Sequence, residues 1–470
     1  MKGSTAVKFF TQGAADPVSG QLPGTGIRDE AGLGSRASGF TQRALFLGCL
    51  LCLTTASLAA ANEGIRLRLS DELSEEVRDD APISEEPAAP EAGRFLPRFS
   101  SLKLGLSVTT LHDDNVLRSS ANEESSLVIT TAPKALLEGR LGRHGIVLGY
   151  EGEYGNYLSL SEQNYFDHEF IADADVRVSR KLKVGLDTGL FYGHDRPGDF
   201  TSRLNAPPDP DRWRRHHAGI NATFGRAWAS VLRTKAGFGI AFQQSGIRYL
   251  NNNQGDRDYD RQSFALKGRY NLGPTLSLVA DAGLSLTDYT DPATPLDNQE
   301  VSILVGIAWE ATAKTTGEVK FGVLEKDFDD PNESDFSGAN FNFKVEWSPR
   351  TFSIFTAYGS RNAPESGQGG GSAVVDTAGL RWRHGFSSRL VSETGFEYQQ
   401  ADFESNQKDE LFQLDAAVSY RFNRFVGLRG GFEYLTQSSN NPSAEYDDTT
   451  IFIELSVSLE RRPGRGGLGN

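Results

Sequence analysis

The 470-residue chain has very little sulfur: two cysteines and one methionine. Cys49 and Cys52 both lie in one apolar run, residues 44–61 (ALFLGCLLCLTTASLAAA), which follows Arg43 and ends in small residues. Such a run is typical of a secretory signal peptide, with a short membrane anchor as the less favoured alternative. Cleavage among the closing alanines would remove both thiols. We therefore expect neither a disulfide nor a thiolate site in the exported chain.

Long apolar runs are absent after residue 62, and only 38% of the chain is hydrophobic. A membrane-spanning helix needs about 20 apolar residues, so none is expected. A spanning β-barrel remains compatible, because only every second residue of its strands meets lipid. The net charge of −14 argues against nucleic-acid binding, since a phosphate backbone requires a basic surface.

Local catalytic motifs are also absent. None of the seven histidines lies in a Gly-x-Ser-x-Gly or His-Glu-x-x-His sequence, so we predict no enzyme and no cofactor. Asp256, Asp258 and Asp260 have calcium-like spacing, but Arg261 follows where an EF-hand loop needs glycine. We interpret them as part of a solvated external loop, close to divalent ions held by lipopolysaccharide, and predict no protein-bound metal.

Composition divides the chain into four parts. Residues 1–61 are an N-terminal extension with the signal peptide, and 62–100 form an acidic, Pro/Ala-rich segment. That segment cannot bury a core and is interpreted as a periplasmic linker, with a partner-binding role as the alternative. Residues 101–460 carry the folded domain, and residues 461–470 are a glycine-rich tail.

Within 101–460 the apolar residues recur with a period of two, which predicts β-strands with one apolar and one polar face. One run reads Leu182, Val184, Leu186, Thr188, Leu190, Tyr192, with Lys183, Gly185, Asp187 and Gly189 between them. Runs of about ten to thirteen residues suit tilted membrane-spanning strands. Short connections, such as 140–144 and 179–181, alternate with long ones, such as 195–212 and 361–372.

This pattern predicts an all-β fold: a transmembrane antiparallel up-and-down β-barrel of about 18 strands, with short periplasmic turns and long external loops. A propeller should show a fixed repeat, which is missing, and a sandwich of this size would expose many strand edges. Aromatic residues near strand ends fit interfacial girdles. They are Tyr154, Tyr192, Trp309, Trp347, Tyr358, Trp382, Tyr398, Tyr420 and Tyr434.

The polar faces of several strands carry basic residues close to the short turns. We define the basic cluster as Arg233, Lys235, Lys267 and Arg269, on two neighbouring strands, and add Arg381 and Arg383 as further candidates for binding an anionic ligand in the lumen. Like charges that face each other across a strand pair repel, so a bound anion would stabilise the cluster. The alternative is an ordinary polar lumen with paired charges.

The start of the domain (SLKLGLSVTTLHDDNVL, then VITTAPKALLEGRLGRHGIVLGYEGEYGNYL) resembles a family of outer-membrane barrels known as putative porin 2. The resemblance rests on His112-Asp113-Asp114-Asn115-Val116, where an aromatic is usual at the first position, then on Pro133 and Gly149-Tyr150. It extends over about 101–460. It implies a location in the bacterial outer membrane and, since relatives accompany exopolysaccharide or capsule systems, polysaccharide export.

Three functions follow as hypotheses. The first is export of an exopolysaccharide, with anionic polysaccharide and periplasmic export proteins as partners besides outer-membrane lipid and lipopolysaccharide. The second is a general diffusion porin or small-solute channel, because 16–18 strands leave an aqueous lumen. The third is a non-conducting structural or surface barrel. An external loop that folds inward, such as 195–212, would plug the lumen.

Overall fold

The computed structural model describes residues 98–199, 202, 209–225, 235–312, 314–366 and 373–461. The signal peptide, nearly all of the linker and the tail after residue 461 therefore lie outside the described residues. The described chain forms eighteen strands. They are β1 (Arg98–Asp113), β2 (Ser126–Leu141), β3 (His144–Tyr157), β4 (Tyr165–Arg177), β5 (Leu182–His194), β6 (Arg212–Phe224), β7 (Ala236–Tyr249), β8 (Tyr259–Asn271), β9 (Leu276–Tyr289), β10 (Asn298–Thr312), β11 (Thr315–Phe328), β12 (Phe336–Arg350), β13 (Ser353–Asn362), β14 (Ala373–Gly385), β15 (Leu390–Phe403), β16 (Lys408–Arg421), β17 (Val426–Ser439) and β18 (Tyr446–Arg461).

All eighteen strands belong to one closed antiparallel barrel. Each strand pairs with its neighbours in sequence, and β1 also pairs with β18, from Leu102 opposite Arg461 to Asp113 opposite Thr450. Closure removes both free edges of the sheet, so every strand finds partners for its backbone groups. The predicted fold class and strand number are confirmed.

Short and long connections alternate around the barrel, and most lie where the sequence predicts them. In such barrels the short turns face the periplasm and the long loops face outward, and we name the two ends accordingly. The β6–β7 connection differs, because β7 begins at Ala236 and not at Leu232, where its apolar stripe begins. Residues 226–234 of that connection lie outside the described part of the chain.

The two faces of the wall differ in polarity. Apolar side chains point outward and are exposed, with Phe321 at 63% and Ile453 at 62% the most open examples on their strands. Trp347, Phe355 and Trp382 stack on this face near the periplasmic turns, with centroids 5.3 and 5.8 Å apart, and form part of an aromatic girdle. Tyr358 was wrongly assigned to the girdle: its hydroxyl donates to Glu397 in the lumen. No helix among the described residues is long and apolar enough to cross a membrane.

The Asp113-Asp114-Asn115 motif lies at the seam where the barrel closes. The buried Asn115 side chain donates to the backbone oxygen of Asp447, near the start of β18, at 2.7 Å. The Thr449 amide donates to the Asp114 carboxylate at 2.6 Å, and the Asn115 amide donates to Asp113 at 2.9 Å. The motif therefore joins the end of the first strand to the last strand, which gives this sequence feature a structural role.

Candidate functional site

Two residues of the basic cluster lie on the lumen side near the periplasmic end. Lys267 and Arg269 project inward from β8, and Lys235 directly precedes β7, whereas Arg233 lies outside the described residues. The expected face-to-face repulsion is wrong for this register: Lys267 is opposite Gly239, and Arg269 is opposite Gly237. The glycines leave room for both side chains. Within the described part of the chain, neither Lys267 nor Arg269 forms an ion pair, and Arg269 Nε has no hydrogen-bond partner.

Arg381 and Arg383 also point into the lumen, from β14, but both have acidic neighbours. Arg381 lies 3.6 Å from Asp415, and Arg383 lies 3.4 Å from Glu393. Asp415 can lean toward Arg381 because Gly395, between them in the sheet, has no side chain. Similar pairs recur at Lys183–Asp175, Lys134–Glu151 and Lys320–Asp281. Paired lumen charge therefore describes much of the wall. Among the described residues, Lys267 and Arg269 depart from it in forming no ion pair, and Lys267 has Asp281 as its cross-strand neighbour on β9.

Replacing all four basic-cluster residues with glutamine should weaken binding of trigalacturonate, added from the periplasmic side, by roughly tenfold, since each exposed charge contact contributes about 0.2–1 kcal/mol. The loss should shrink at high salt, because ions screen these charges. The matched control is Arg381→Gln with Arg383→Gln, whose charges are already paired, and we expect less than half the loss in free energy. Unchanged binding in a quadruple variant that is still heat-modifiable on a gel would assign the cluster to ordinary lumen charge.

The described start of the β13–β14 loop, residues 363–366, turns into the lumen at Glu365. The Glu365 carboxylate accepts hydrogen bonds from Arg261 on β8, from Lys326 on β11 at 2.8 Å and from the Tyr289 hydroxyl at 2.9 Å. Lys326 is fully buried and also donates to the backbone oxygen of Ala363 at 3.1 Å. The loop leaves β13, so these contacts require it to cross to a different sector of the wall.

Two cations, Lys326 and Arg261, compensate the cost of burying the Glu365 carboxylate. Burial by itself would raise the pKa of the Glu365 carboxyl, but Lys326 and then Arg261 hold that pKa below its ordinary value. The carboxylate is therefore ionised at neutral pH and balances two buried cations. Removing one partner from such a buried group typically costs about 3–5 kcal/mol, so the loop is held firmly.

The described parts of the β5–β6 loop, residues 195–199, 202 and 209–211, form contacts in another sector of the barrel. Arg118, in the β1–β2 loop, lies 2.9 Å from Asp199 and 3.3 Å from Asp448 of β18. Gly198 has φ of +77°, and a Cβ there would lie 2.7 Å from the Arg118 side chain. At the base of the loop, Arg257 of the β7–β8 loop lies 2.8 Å from Asp195. The Arg118 ion pairs thus hold the β5–β6 loop in place, whereas Arg257 only partly offsets the cost of burying Asp195.

Acidification should favour the inward position of the β5–β6 loop. Burial, with smaller contributions from Asp211 and Asp199, raises the pKa of Asp195 to about 6 despite the attraction of Arg257. The Tyr249 hydroxyl also donates to this carboxylate, at 3.2 Å. An outward loop would return Asp195 to its ordinary pKa, so the inward loop binds the proton more tightly. This preference is complete below the ordinary pKa and is lost as pH rises through about 6.

Transitions to open substates, in which the loop has moved outward, should consequently be about tenfold rarer at pH 5 than at pH 7.5 in single-channel recordings. The difference in the pKa of Asp195 between the inward and outward loop changes their equilibrium by that factor. Asp195→Asn should remove most of the pH dependence and keep the loop inward at both values. More frequent opening at pH 5 in the wild type would contradict this assignment.

The sequence missed most of these groups. The 195–212 connection is a candidate inward loop in the sequence analysis, but Arg118, Glu365 and Lys326 were not recognised. A lone glutamate in a Gly-rich connection carries no local signal. Its partners are 104 and 39 residues away in the chain, and only the closed barrel brings them together.

Comparisons with known proteins give one family and several solved structures of low similarity. The model of the family described as Putative beta-barrel porin 2 matches residues 87–459. Solved Pseudomonas aeruginosa structures include opdK (12% identity, 77% of this chain and 99% of that chain, TM-score 0.42). A second is OprD, with 11% identity over 77% of this chain and 96% of that chain and a TM-score of 0.43. A third is OccK2 (OpdF), with 10% identity over 76% of this chain and 98% of that chain and a TM-score of 0.45.

A comparison with curated proteins gives no match. The family match covers well over half of the chain, and the barrel has the apolar outer belt that an outer membrane requires. The chain belongs to the Putative beta-barrel porin 2 family and is a porin-like β-barrel of the bacterial outer membrane.

Proposed function

We propose that the barrel is a channel for the passive diffusion of small solutes, narrowed from two sides by its own external loops. The observation that carries this proposal is the binding of Glu365 to Arg261 and Lys326 inside the lumen. A barrel of this strand number leaves an aqueous lumen unless something fills it. Two inward loops with separate ion pairs would leave a passage for small molecules and restrict large ones.

Export of an exopolysaccharide is the less well supported hypothesis. A polymer in transit needs a continuous wide lumen, whereas here both loops would have to move first. Each is held by buried ion pairs, whose disruption costs about 3–5 kcal/mol. The proposal does not involve catalysis: the charged lumen groups described above mostly bind one another, as Lys320 binds Asp281 at 2.5 Å.

Liposome swelling tests the proposal directly. Purified full-length protein in liposomes should admit glycine, glucose and small organic acids, and should exclude oligosaccharides longer than a few residues. Swelling with long oligosaccharides would favour the polymer hypothesis. A folded, heat-modifiable barrel that supports no swelling at all would favour the non-conducting structural alternative.

A further inference from the structure

A second basic site, separate from the basic cluster, lies at the periplasmic end of β15 to β18. A cavity of about 490 Å³ opens there between the short turns. Four arginines line it: Arg389, Arg421, Arg424 and Arg429. We call this cavity the rim pocket. It belongs to the periplasmic mouth, on the opposite end of the barrel from the two inward loops.

The rim pocket has an excess of positive charge. Arg389, Arg421 and Arg424 are exposed, and within the described part of the chain none of them forms an ion pair. Of its two acidic residues, Glu393 already lies near Arg383, and Glu454 is opposite Arg429 across the β17–β18 pair. The pocket therefore offers at least three guanidinium groups to an incoming anion.

The arginines are also crowded. The Arg421 amide donates to the backbone oxygen of Arg389 at 2.8 Å, so two of these residues are direct cross-strand neighbours. Like charges in that position are destabilising unless an anion lies between them. The Arg424 guanidinium lies 4.5 Å from the Phe425 ring centroid, which leaves its N–H edge free for a carboxylate.

An acidic segment of the same chain precedes β1 in the sequence. Residues 71–91 contain nine acidic residues and one arginine, Arg78, which gives a net charge of −8. Only six residues separate this segment from Arg98, where β1 begins at the periplasmic end, opposite Arg140. Next to β1 lies β18, whose Ser456 and Ser458 line the rim pocket.

The distances are short enough for contact. Neighbouring strands are about 4.8 Å apart, so the pocket lies roughly 5–20 Å along the rim from β1. Glu86 precedes Arg98 by twelve residues, and an extended chain covers about 3.3–3.6 Å per residue, or roughly 40 Å. Even a partly compact segment would therefore bring several carboxylates to the arginines.

We propose that residues 71–91 bind the rim pocket through carboxylate–arginine pairs. This binding is independent of what the channel carries. The acidic segment would then have a partner-binding role in place of a linker role, and its partner would be the barrel of the same chain. Other occupants of the pocket are a soluble anion or an acidic region of another protein.

Disulfide cross-linking of the full chain tests this proposal. In a background with Cys49→Ser and Cys52→Ser, Glu86→Cys is combined with Ser388→Cys at the edge of the pocket. The control pair is Glu86→Cys with Arg180→Cys, in the exposed β4–β5 turn. Position 180 is three to four strands from β1 in the other direction, nearer than position 388, so an unbound tether would reach it at least as often.

We expect at least fivefold more cross-linking at 388 than at 180, and loss of that excess in 1 M NaCl or when Arg389, Arg421 and Arg424 are all changed to glutamine. Equal cross-linking at both positions, or an excess that survives the glutamine changes in a heat-modifiable barrel, would overturn the proposal. Deleting residues 71–91 should also increase the reaction of the pocket arginines with phenylglyoxal severalfold. Unchanged reactivity would assign the pocket to another occupant.

Discussion

Glu365→Ala is expected to raise the single-channel conductance of the barrel and to lower its stability. The change removes the carboxylate shared by Arg261 and the fully buried Lys326, and among the described acidic groups leaves them only the electrostatic attraction of Glu300. A buried charge that loses its partner costs about 3–5 kcal/mol, and the loop can avoid that cost only by letting water in. We expect the β13–β14 loop to leave the lumen, and conductance in planar bilayers to rise roughly two- to fivefold toward that of an open aqueous barrel.

Two variants make this result specific. Glu365→Gln keeps the size of the side chain and one acceptor oxygen, so it should have an intermediate effect. Glu162→Ala removes an exposed carboxylate from the β3–β4 loop and should change neither conductance nor the urea midpoint of unfolding. Equal conductance in wild type and Glu365→Ala, with the barrel folded, would mean that this loop does not obstruct the lumen.

Arg118→Gln should release the other inward loop and destabilise the closure of the barrel. Arg118 adopts a left-handed backbone conformation with φ of +47°, which non-glycine residues rarely do without compensating contacts. Its side chain provides them, through Asp199 and the buried Asp448. Without the cation, the Asp448 carboxylate loses its counter-ion beside the β1–β18 seam, at a cost of about 3–5 kcal/mol.

The urea midpoint for unfolding from liposomes should therefore fall clearly in Arg118→Gln, and noisy open substates should appear in single-channel recordings. Arg118→Lys should recover part of the stability, since an ammonium can pair with one carboxylate but cannot present separate N–H groups to both. Arg180→Gln, in an exposed turn, is the control. A midpoint equal to that of the wild type in Arg118→Gln would show that the seam does not depend on this ion pair.

The sequence predicts the wall of this barrel well because the wall is governed by local rules. Each strand requires only alternating apolar residues and a turn. The run from Leu182 to Tyr192, which follows the 179–181 turn, shows both features in the sequence. The number of strands, their order and the inward direction of Lys267, Arg269, Arg381 and Arg383 all follow from that period. Tyr358 was misassigned because aromatic character alone does not tell which face of a strand a residue occupies.

The interior is predicted less well because it depends on contacts between distant strands. Register decides that Lys267 and Arg269 face glycines of β7, and no local pattern contains the register. The Asp113-Asp114-Asn115 motif was recognised as a family feature, but its role at the seam appears only when β18 is placed next to β1. The same holds for Glu365, whose two cations come from β8 and β11.

The size cut-off of the channel is the most direct measurement of the central claim that two inward loops narrow the lumen. Conductance recorded with neutral polyethylene glycols of increasing size should show a small cut-off in the wild type and a stepwise larger one in Glu365→Ala, Arg118→Gln and the double variant. We expect the effects of the two changes to combine, because the loops are held in different sectors of the barrel. An identical cut-off in the wild type and the folded double variant would contradict it.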